Sequence, residues 1–275
     1  MQKLVSIILP TYNGAGRISR AIESVLAQSY TEWELLVLDD GSPDDTEDLI
    51  KRMALKDKRI KYLKNEKNLG IQKTLNKGID KANGEYIARI DDDDEWINKD
   101  KLKKQVEFME THPEYVLVGT GFVACDDKGQ EIFRYIPPSG DKEIRQEILS
   151  RNCFTHSSVF FRKDVALQSG GYSEKPEHKH IEDYVLWLKL GTLGKVCNLP
   201  IYGVRLILRP DSLSSENKIT QFRESIKVIE NFKKRYPNYL LAVVGLNVRM
   251  TAYRILNQKI FRRFYQRVYK FYKNL

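Results

Sequence analysis

Apolar runs and amphipathic stretches alternate through the first third of the chain. Short runs rich in β-branched residues, such as "LVSIIL", are typical of buried strands, whereas apolar residues three and four positions apart predict helices. Glycine, proline and aspartate separate the two kinds of segment. The pattern predicts strands at 4–9, 33–40, 59–64 and 84–91, with helices between them, one of which covers 70–82.

The remainder of the chain has a less regular pattern. It predicts helices over 99–111, 181–190, 215–235 and 239–273, and strands near 115–124 and 156–162. Gly191 is expected to end the helix that starts at 181, and Gly245 to interrupt the last helix. The pattern contains no internal repeat and no low-complexity linker.

Polar residues follow three of the predicted strands. Strands that alternate with helices imply right-handed crossovers and an α/β fold with a mainly parallel sheet. Ligands of such sheets bind outside the carboxyl ends of the strands. The three ends carry Thr11 to Asn13, Asp39 to Gly41, and Asp91 to Asp94. We therefore expect these groups to share one edge of the sheet.

The stretch "IARIDDDDEW" places four carboxylates in a row. Runs of acids are usually solvated, but core-forming residues flank this one on both sides, from Ile87 to Trp96. A divalent cation relieves the repulsion between clustered carboxylates. Mg²⁺ and Mn²⁺ commonly bind one or two carboxylates together with phosphate oxygens. The run therefore favours a metal–diphosphate site over an all-protein metal cage.

Composition limits the compartment and class of the protein. The 275 residues are 41% hydrophobic, which supports a large core, and no apolar run approaches the ~20 residues that span a membrane. No signal peptide is evident at the N-terminus. The three cysteines form no CxxC pair, so we expect neither a disulfide framework nor a zinc site. A reducing cytoplasm fits this usage best.

The net charge of +9 is concentrated in the C-terminal tail. Residues 231–275 contain 11 Lys and Arg and no acid, which leaves 35 basic and 37 acidic residues in 1–230. Aromatic residues at helical spacing lie among the tail cations, as in "FRRFYQRVYKFYKNL". Such a helix would dock on an anionic membrane surface through 240–275. Alternatively, its aromatic stripe packs against the catalytic domain or a second subunit of a homodimer.

Six ordered motifs resemble those of the family-2 glycosyltransferases over about residues 3–215. They are "SIILPTYNG", "LLVLDDGSPDDT", "NLGIQKTLNKGI", "GEYIARIDDDD", "THSSVFFRK" and "IEDYVLWLKL". The resemblance implies a GT-A fold, which is a Rossmann-like nucleotide-binding sheet flanked by helices. It also implies a catalytic domain over 1–212, with a nucleotide-binding half to about 95 and an acceptor-binding half from about 96. A basic helical extension would occupy 213–275.

The same resemblance implies which residues bind the UDP-sugar donor. They are Pro10, Thr11, Tyr12, Asn13, Asp40, Arg89, Asp91 and Asp92. Tyr12 is expected near the base, and Asp40 is expected to accept a hydrogen bond from the uracil N–H. Ordinary turn roles are alternatives for both. Arg89 is expected near the diphosphate or the acids, or else as an exposed strand residue.

Mn²⁺ or Mg²⁺ is the cofactor that the resemblance implies. Asp93 and Asp91 match the two acids of the family's DxD motif and are the expected metal ligands. The position between them is commonly small in relatives, so Asp92 departs from the pattern and leaves the ligand assignment open by one residue. Arg209 stands where relatives often carry a histidine, and it would pair with phosphate or be a loop cation.

"IEDYVLW" supplies the acids closest to the acceptor side. The resemblance assigns the catalytic base to Asp183, with inversion at the anomeric carbon in a single displacement. The alternative is that Glu182 and Asp183 are both favourable acids in a first helical turn. Trp187 would stack on the acceptor sugar or lie in the core. His156 would lie near the acceptor or serve as a hydrogen-bonded structural histidine.

The expected function is transfer of a sugar from a UDP-sugar to a saccharide or lipid-linked acceptor, in polysaccharide or glycolipid synthesis. The protein would act in the cytoplasm, with peripheral binding at the inner face of the plasma membrane as an option. One alternative is a sugar nucleotidyltransferase, but "PTYNGAG" lacks the basic loop expected there. Another is a non-enzymatic protein that binds nucleic acid through its tail. The near-neutral body argues against a specific nucleic-acid partner.

Overall fold

The computed structural model describes residues 2–208 and 218–256. The strands are β1 Val5–Thr11, β2 Trp33–Asp39, β3 Ile60–Lys64, β4 Tyr86–Arg89, β5 Glu95–Trp96, β6 Tyr115–Cys125, β7 Glu131–Tyr135, β8 Phe160–Arg162 and β9 Lys195–Ile207. The helices are α1 Ile18–Leu26, α2 Thr46–Lys56, α3 Ile71–Lys81, α4 Lys101–Thr111, α5 Asp141–Glu147, α6 Lys163–Gln168, α7 Glu182–Leu193, α8 Lys218–Glu230 and α9 Tyr239–Leu256.

One mixed sheet runs through the molecule in the order β3-β2-β1-β4-β8-β6-β9-β5, and β7 pairs with β6 at the side. The first four strands in sequence are parallel to one another, as predicted. The second half of the chain joins this sheet through β8, which is antiparallel to both β4 and β6. The carboxyl ends of β1, β2 and β4 therefore share one edge, which confirms the expected convergence.

The apolar strands are buried on both faces of the sheet. Ile8 and Leu36 belong to one hydrophobic cluster, whereas their neighbours Ile7 and Leu35 belong to a second cluster on the opposite face. Successive side chains of a strand point to opposite faces. Strands covered on both faces need continuous apolar sequence, which is why "LVSIIL" shows no alternation.

Two glycines do not act as predicted. α7 continues through Gly191 to Leu193, and a Cβ at Gly191 would lie 2.3 Å from the Tyr236 hydroxyl. That position therefore needs a glycine because another segment packs closely on the helix. α9 likewise runs through Gly245 without a break. The predicted strand at 156–162 is a 3₁₀ turn, His156–Ser158, followed by the short strand β8.

α8 and α9 pack on the catalytic fold. Val228, Tyr236 and Leu246 belong to the same hydrophobic cluster as Trp187 of α7. The Tyr236 hydroxyl donates a 2.7 Å hydrogen bond to the Leu188 carbonyl. The expected domain boundary at 212 and the aromatic stripe beyond 256 lie outside the described residues. Within 2–208 and 218–256, no helix combines the length and apolarity required to cross a bilayer.

Candidate active site

The loop after β1 is fixed in a tight conformation. Asn13 has a φ of 54° and donates its backbone N–H to the Ser42 hydroxyl at 3.0 Å. A Cβ at Gly14 would lie 2.0 Å from Oγ1 of Thr11. Only glycine at position 14 therefore lets the loop approach Thr11 so closely. Tyr12 projects from this loop with 42% of its surface exposed, so its ring is accessible to a ligand.

Asp92 links the end of β1 to the turn after β4. One carboxylate oxygen accepts a 2.6 Å hydrogen bond from the Thr11 hydroxyl. Arg17 donates two further bonds, from Nε at 2.8 Å and from Nη2 at 3.0 Å. Asp92 and Thr11 are both buried. Asp92 thus forms an ion pair with Arg17 and engages the Thr11 hydroxyl in the same network. Its expected contact with the nucleotide stays a prediction.

Asp40 organises the segment that precedes α3. Its buried carboxylate accepts hydrogen bonds from the Asn65 amide at 2.7 Å and from the backbone N–H groups of Leu69 and Gly70 at 2.8 and 2.9 Å. A carboxylate has about four lone-pair sites. The three bonds leave capacity for one additional donor, so the structural role of Asp40 is compatible with the expected uracil contact. Pro10 is a buried strand residue nearby.

Arg89 lies among the acids of the run, which is the first of the two placements expected from the sequence. Its guanidinium is 1% exposed, and Nη2 donates to Asp91 at 2.6 Å. Burial alone would raise the pKa of Asp91, but the Arg89 cation, His156 and the hydrogen bond from Ser157 together outweigh burial and hold that pKa below its usual value. Ser157 supports the same carboxylate with a 3.0 Å hydrogen bond. The alternative of an exposed strand residue is therefore wrong for Arg89.

Burial and neighbouring carboxylates both act on the last acid of the run. Asp94 is buried against Ser157. Burial, together with the charges of Asp91 and Asp93, raises the pKa of Asp94 well above its usual value. A divalent cation would relieve this repulsion. The donor set therefore fits a hard cation bound by oxygen ligands.

That cation would also need ligands from outside the protein. Among the described residues, no group of three or more His, Cys, Asp or Glu side chains is arranged to hold a metal. Mg²⁺ typically takes one or two carboxylates and completes its shell with substrate phosphates or water. The geometry therefore suits a metal shared with a diphosphate.

Asp183 is held in a fixed orientation at the start of α7. Its Oδ2 accepts a 2.8 Å hydrogen bond from the Asn152 amide, and its Oδ1 accepts a 2.6 Å bond from the backbone N–H of Tyr184. Burial raises the pKa of Asp183 to about 6, although these two bonds oppose the shift. Asp183 is therefore mostly ionised at neutral pH and can accept a proton.

Glu182, the residue before Asp183, is buried. Burial and the neighbouring charge of Asp183 raise the pKa of Glu182 to about 7. Its Oε2 is fully buried and accepts no hydrogen bond within the described part of the chain. The Asp91 charge contributes to the raised pKa of both Glu182 and Asp183. The acid run and the two acids of α7 therefore belong to one electrostatic site.

His156 and Trp187 lie behind this site. His156 Nε2 is 3.0 Å from the Tyr172 hydroxyl, and burial together with the Arg89 cation lowers the pKa of His156 to about 3. His156 is therefore neutral and hydrogen-bonded. Trp187 is 0% exposed and packs on the rings of His156 and Tyr172. Stacking of Trp187 on an acceptor sugar is therefore wrong for this structure, and the core alternative holds.

Three important side chains were absent from the predicted site. Arg17, Asn152 and Ser157 position Asp92, Asp183 and Asp91 respectively. Ser157 lies in the quoted motif "THSSVFFRK", and that motif was the only available signal. Arg17 and Asn152 are 75 and 31 positions away from their partners, and no sequence periodicity connects residues at such separations.

Comparison with known proteins identifies the family. The family model "Glycosyl transferase family 2" matches residues 6–168, which is more than half of the chain. The chain belongs to glycosyl transferase family 2. This family-2 glycosyltransferase is also 30% identical over 261 residues to WfgD of Escherichia coli, covering 93% of this chain and 98% of WfgD. WfgD is described as a UDP-Glc:alpha-D-GlcNAc-diphosphoundecaprenol beta-1,3-glucosyltransferase.

Solved structures confirm the GT-A fold of this glycosyltransferase. TarS of S. aureus in complex with UDP-GlcNAc superposes with a TM-score of 0.67 at 19% identity, over 88% of this chain and 70% of that chain. The mannosyltransferase PcManGT of Pyrobaculum calidifontis, in complex with GDP-Man and Mn²⁺, gives a TM-score of 0.67 at 15% identity, over 96% and 83%. Family membership disfavours the nucleotidyltransferase and nucleic-acid-binding alternatives.

Proposed function

We propose that this glycosyltransferase moves a sugar from a UDP-sugar to an acceptor hydroxyl with inversion at the anomeric carbon. The observation that carries the proposal is the placement of Asp183, an ionised and firmly held carboxylate, in one electrostatic site with the acid run. TarS binds UDP-GlcNAc and WfgD uses UDP-Glc, which supports a uridine donor. Tyr12, Asn13 and Asp40 would surround the base of that donor.

In this mechanism Asp183 accepts the proton of the attacking hydroxyl. The acceptor oxygen forms a bond to the anomeric carbon as the bond from that carbon to the diphosphate oxygen breaks, and UDP leaves. A positioned base contributes about 10²–10⁴-fold to such a step. Asn152 keeps the carboxylate oriented and ionised. Because the acceptor oxygen attacks the anomeric carbon from the face opposite the departing diphosphate, a single displacement inverts the anomeric configuration.

Asp93 and Asp91 would hold Mn²⁺ or Mg²⁺ at the acid run. The raised pKa of Asp94 supports this, since burial together with the charges of Asp91 and Asp93 disfavours a further negative charge there, and a cation would relieve that repulsion. PcManGT binds Mn²⁺ with its nucleotide sugar. When bound, the cation would stabilise negative charge on the departing diphosphate. Arg89 would assist by restraining the Asp91 carboxylate.

The acceptor proposed here is a lipid-linked saccharide, in polysaccharide or glycolipid synthesis at the cytoplasmic face of a membrane. The acceptor printed in the name of WfgD supports this class. An exposed apolar stripe on α9 also supports membrane docking, with Leu240, Leu241, Val244 and Val248 each more than 60% exposed. Arg254 lies on the same helix and is exposed, and a cationic residue near such a stripe favours anionic lipid.

Screening nucleotide sugars tests the reaction directly. Purified protein is incubated with a panel of UDP- and GDP-sugars, Mn²⁺ or Mg²⁺, and short-chain diphosphate-linked saccharides, and product is detected by mass spectrometry. We expect a metal-dependent glycoside product from a UDP-sugar, with inverted anomeric configuration by NMR. Turnover only with a GDP-sugar, or a product with retained configuration, would contradict the proposal.

Co-sedimentation with liposomes tests the membrane partner. Full-length protein is expected to pellet with vesicles that contain phosphatidylglycerol and not with neutral vesicles. A quadruple variant with Leu240, Leu241, Val244 and Val248 changed to Ser should lose this binding, because the stripe supplies the apolar contact. Equal pelleting of both proteins would remove α9 as the docking surface.

A further inference from the structure

A cavity of about 310 Å³ opens beside Asp183. It is bordered by residues 150–152, by the start of α7 and by the inner sides of α8 and α9. Three cationic side chains line it, namely Arg151, Lys218 and Arg249. Asp183 is the acid in the same lining. The space next to the proposed base therefore carries a surplus of positive charge.

The three cationic side chains differ in whether an acidic partner neutralises their charge. Arg151 forms an ion pair with Glu147, so its charge is already matched. Arg249 donates hydrogen bonds to the backbone carbonyl of Ser150 and to that of Gly245. These carbonyls carry no net charge. Within residues 2–208 and 218–256, neither Lys218 nor Arg249 forms an ion pair.

A cavity of this kind is suited to an anionic group. A guanidinium has five N–H donors, and Arg249 uses two of its nitrogens in the bonds to the two carbonyls. Arginine and lysine bind phosphate groups well, arginine through paired hydrogen bonds and lysine as a point charge. A neutral sugar would gain little from two unmatched cations. The lining also includes Phe222 and Leu246, which are apolar.

We propose that Lys218 and Arg249 bind the phosphate or diphosphate group of a lipid-linked acceptor and thereby direct its sugar hydroxyl towards Asp183. This inference rests on the proposed function, because it assumes that Asp183 faces the acceptor. The apolar wall formed by Phe222 and Leu246 suits the first carbons of the lipid chain. The C-terminal extension is then part of the acceptor site, and Lys218 and Arg249 are specificity-determining residues.

A binding experiment tests this without knowledge of the acceptor sugar. The full chain is saturated with UDP and Mn²⁺ so that the donor site is filled, and a short prenyl diphosphate, the matching prenyl alcohol and inorganic pyrophosphate are each titrated by calorimetry. We expect the prenyl diphosphate to bind at least tenfold more tightly than either other probe. Arg249→Gln and Lys218→Gln should each weaken it about tenfold. Arg52→Gln, an exposed change on α2, should not.

Two results would overturn the inference. One is equal binding of prenyl diphosphate and prenyl alcohol to the wild type. The other is unchanged diphosphate affinity in both Arg249→Gln and Lys218→Gln. Arg249 also donates a hydrogen bond to the carbonyl of Ser150, close to Asn152. Lys218 donates no hydrogen bond to that segment in the described part of the chain, so weakening in Lys218→Gln separates recognition from local structure.

Failure of this inference is distinguishable from failure of the proposed function. The wild-type protein could bind UDP and transfer sugar to a neutral acceptor, yet show no preference for acceptors with a phosphate group. That result would reject only the phosphate subsite. Absence of UDP binding and of any transfer would reject the proposed function itself. In an active enzyme, both variants should lose activity on diphosphate-linked acceptors and keep activity on neutral glycosides, whereas a merely structural defect would lower both.

Discussion

The Thr11 hydroxyl donates a 2.6 Å hydrogen bond to the Asp92 carboxylate and so ties the end of β1 to the turn after β4. Arg17 completes this link with an ion pair. One of the four acids in the run therefore stabilises the fold, while its neighbours Asp91 and Asp93 are the ones proposed to meet the metal. Adjacent carboxylates have different functions because the turn directs them towards different partners.

This division predicts that Asp92→Asn mainly lowers stability. The change removes the ion pair with Arg17 and should reduce the free energy of unfolding by about 2 kcal/mol. Urea denaturation followed by circular dichroism measures the effect. The exposed change Asp127→Asn serves as the control and should alter stability by less than about 0.5 kcal/mol. A full-stability Asp92→Asn protein that fails to bind UDP would instead assign Asp92 to the donor.

Asp183→Asn should abolish transfer and preserve donor binding. Asparagine keeps the shape of the side chain but accepts no proton, so kcat should fall by about 10²–10⁴-fold. UDP affinity in Mn²⁺ should stay within about twofold of wild type. The exposed change Asp80→Asn should leave both quantities unaltered. Loss of UDP binding by a folded Asp183→Asn protein would argue against a role as base.

The pH dependence of the reaction should follow Asp183. Because the carboxylate must be ionised to accept a proton, kcat/KM should fall as the pH drops below about 6. Asn152→Ala removes a hydrogen bond that favours the ionised form, so the midpoint of this fall should move to higher pH. Asn247→Ala, an exposed change on α9, is the control. A midpoint that stays in place in Asn152→Ala would contradict the positioning role.

Glu34 should make stability depend on pH in the acid range. Burial would raise its pKa, but hydrogen bonds from Lys61, Ser6 and Asn83 outweigh burial and lower the pKa to about 2. This stabilisation is present above the unfolded pKa of about 4.3 and is lost as the pH falls towards 2.

Glu34→Ala should therefore lower the unfolding free energy by about 3 kcal/mol at pH 7. The loss should shrink as the pH approaches 2, and denaturation curves at several pH values measure it. The exposed neighbour Glu32→Ala should have little effect at any pH. A Glu34→Ala penalty that does not change with pH would show that the carboxylate charge contributes nothing.

The parts of the fold that the sequence predicted well are those that local pattern determines. β1 and β2 are mainly apolar runs, and the polar residues at their ends define the shared edge. β9 was missed because it mixes polar and apolar residues over Lys195–Ile207 and is held by its pairing with β6. The extension of α7 beyond Gly191 depends on Tyr236, which is far along the chain.

Contacts between residues far apart in sequence also explain which features of the site the sequence did not predict. Family motifs identified the acids, but their individual environments arise from tertiary contacts. Asp92 is held by Arg17, and Asp183 is oriented because Asn152 is adjacent in space. Trp187 follows Asp183 by one helical turn, yet its ring faces the core, because the aromatic cluster with Phe154 and Phe161 occupies that side of α7.

The central claim is that the acid run binds a metal ion together with a diphosphate. Calorimetric titration of UDP into the wild-type protein, once with Mn²⁺ and once with EDTA, tests it most directly. UDP should bind at least tenfold more tightly with Mn²⁺, and Asp93→Asn should remove this difference without lowering stability. Equal affinity for UDP in Mn²⁺ and in EDTA would contradict the account.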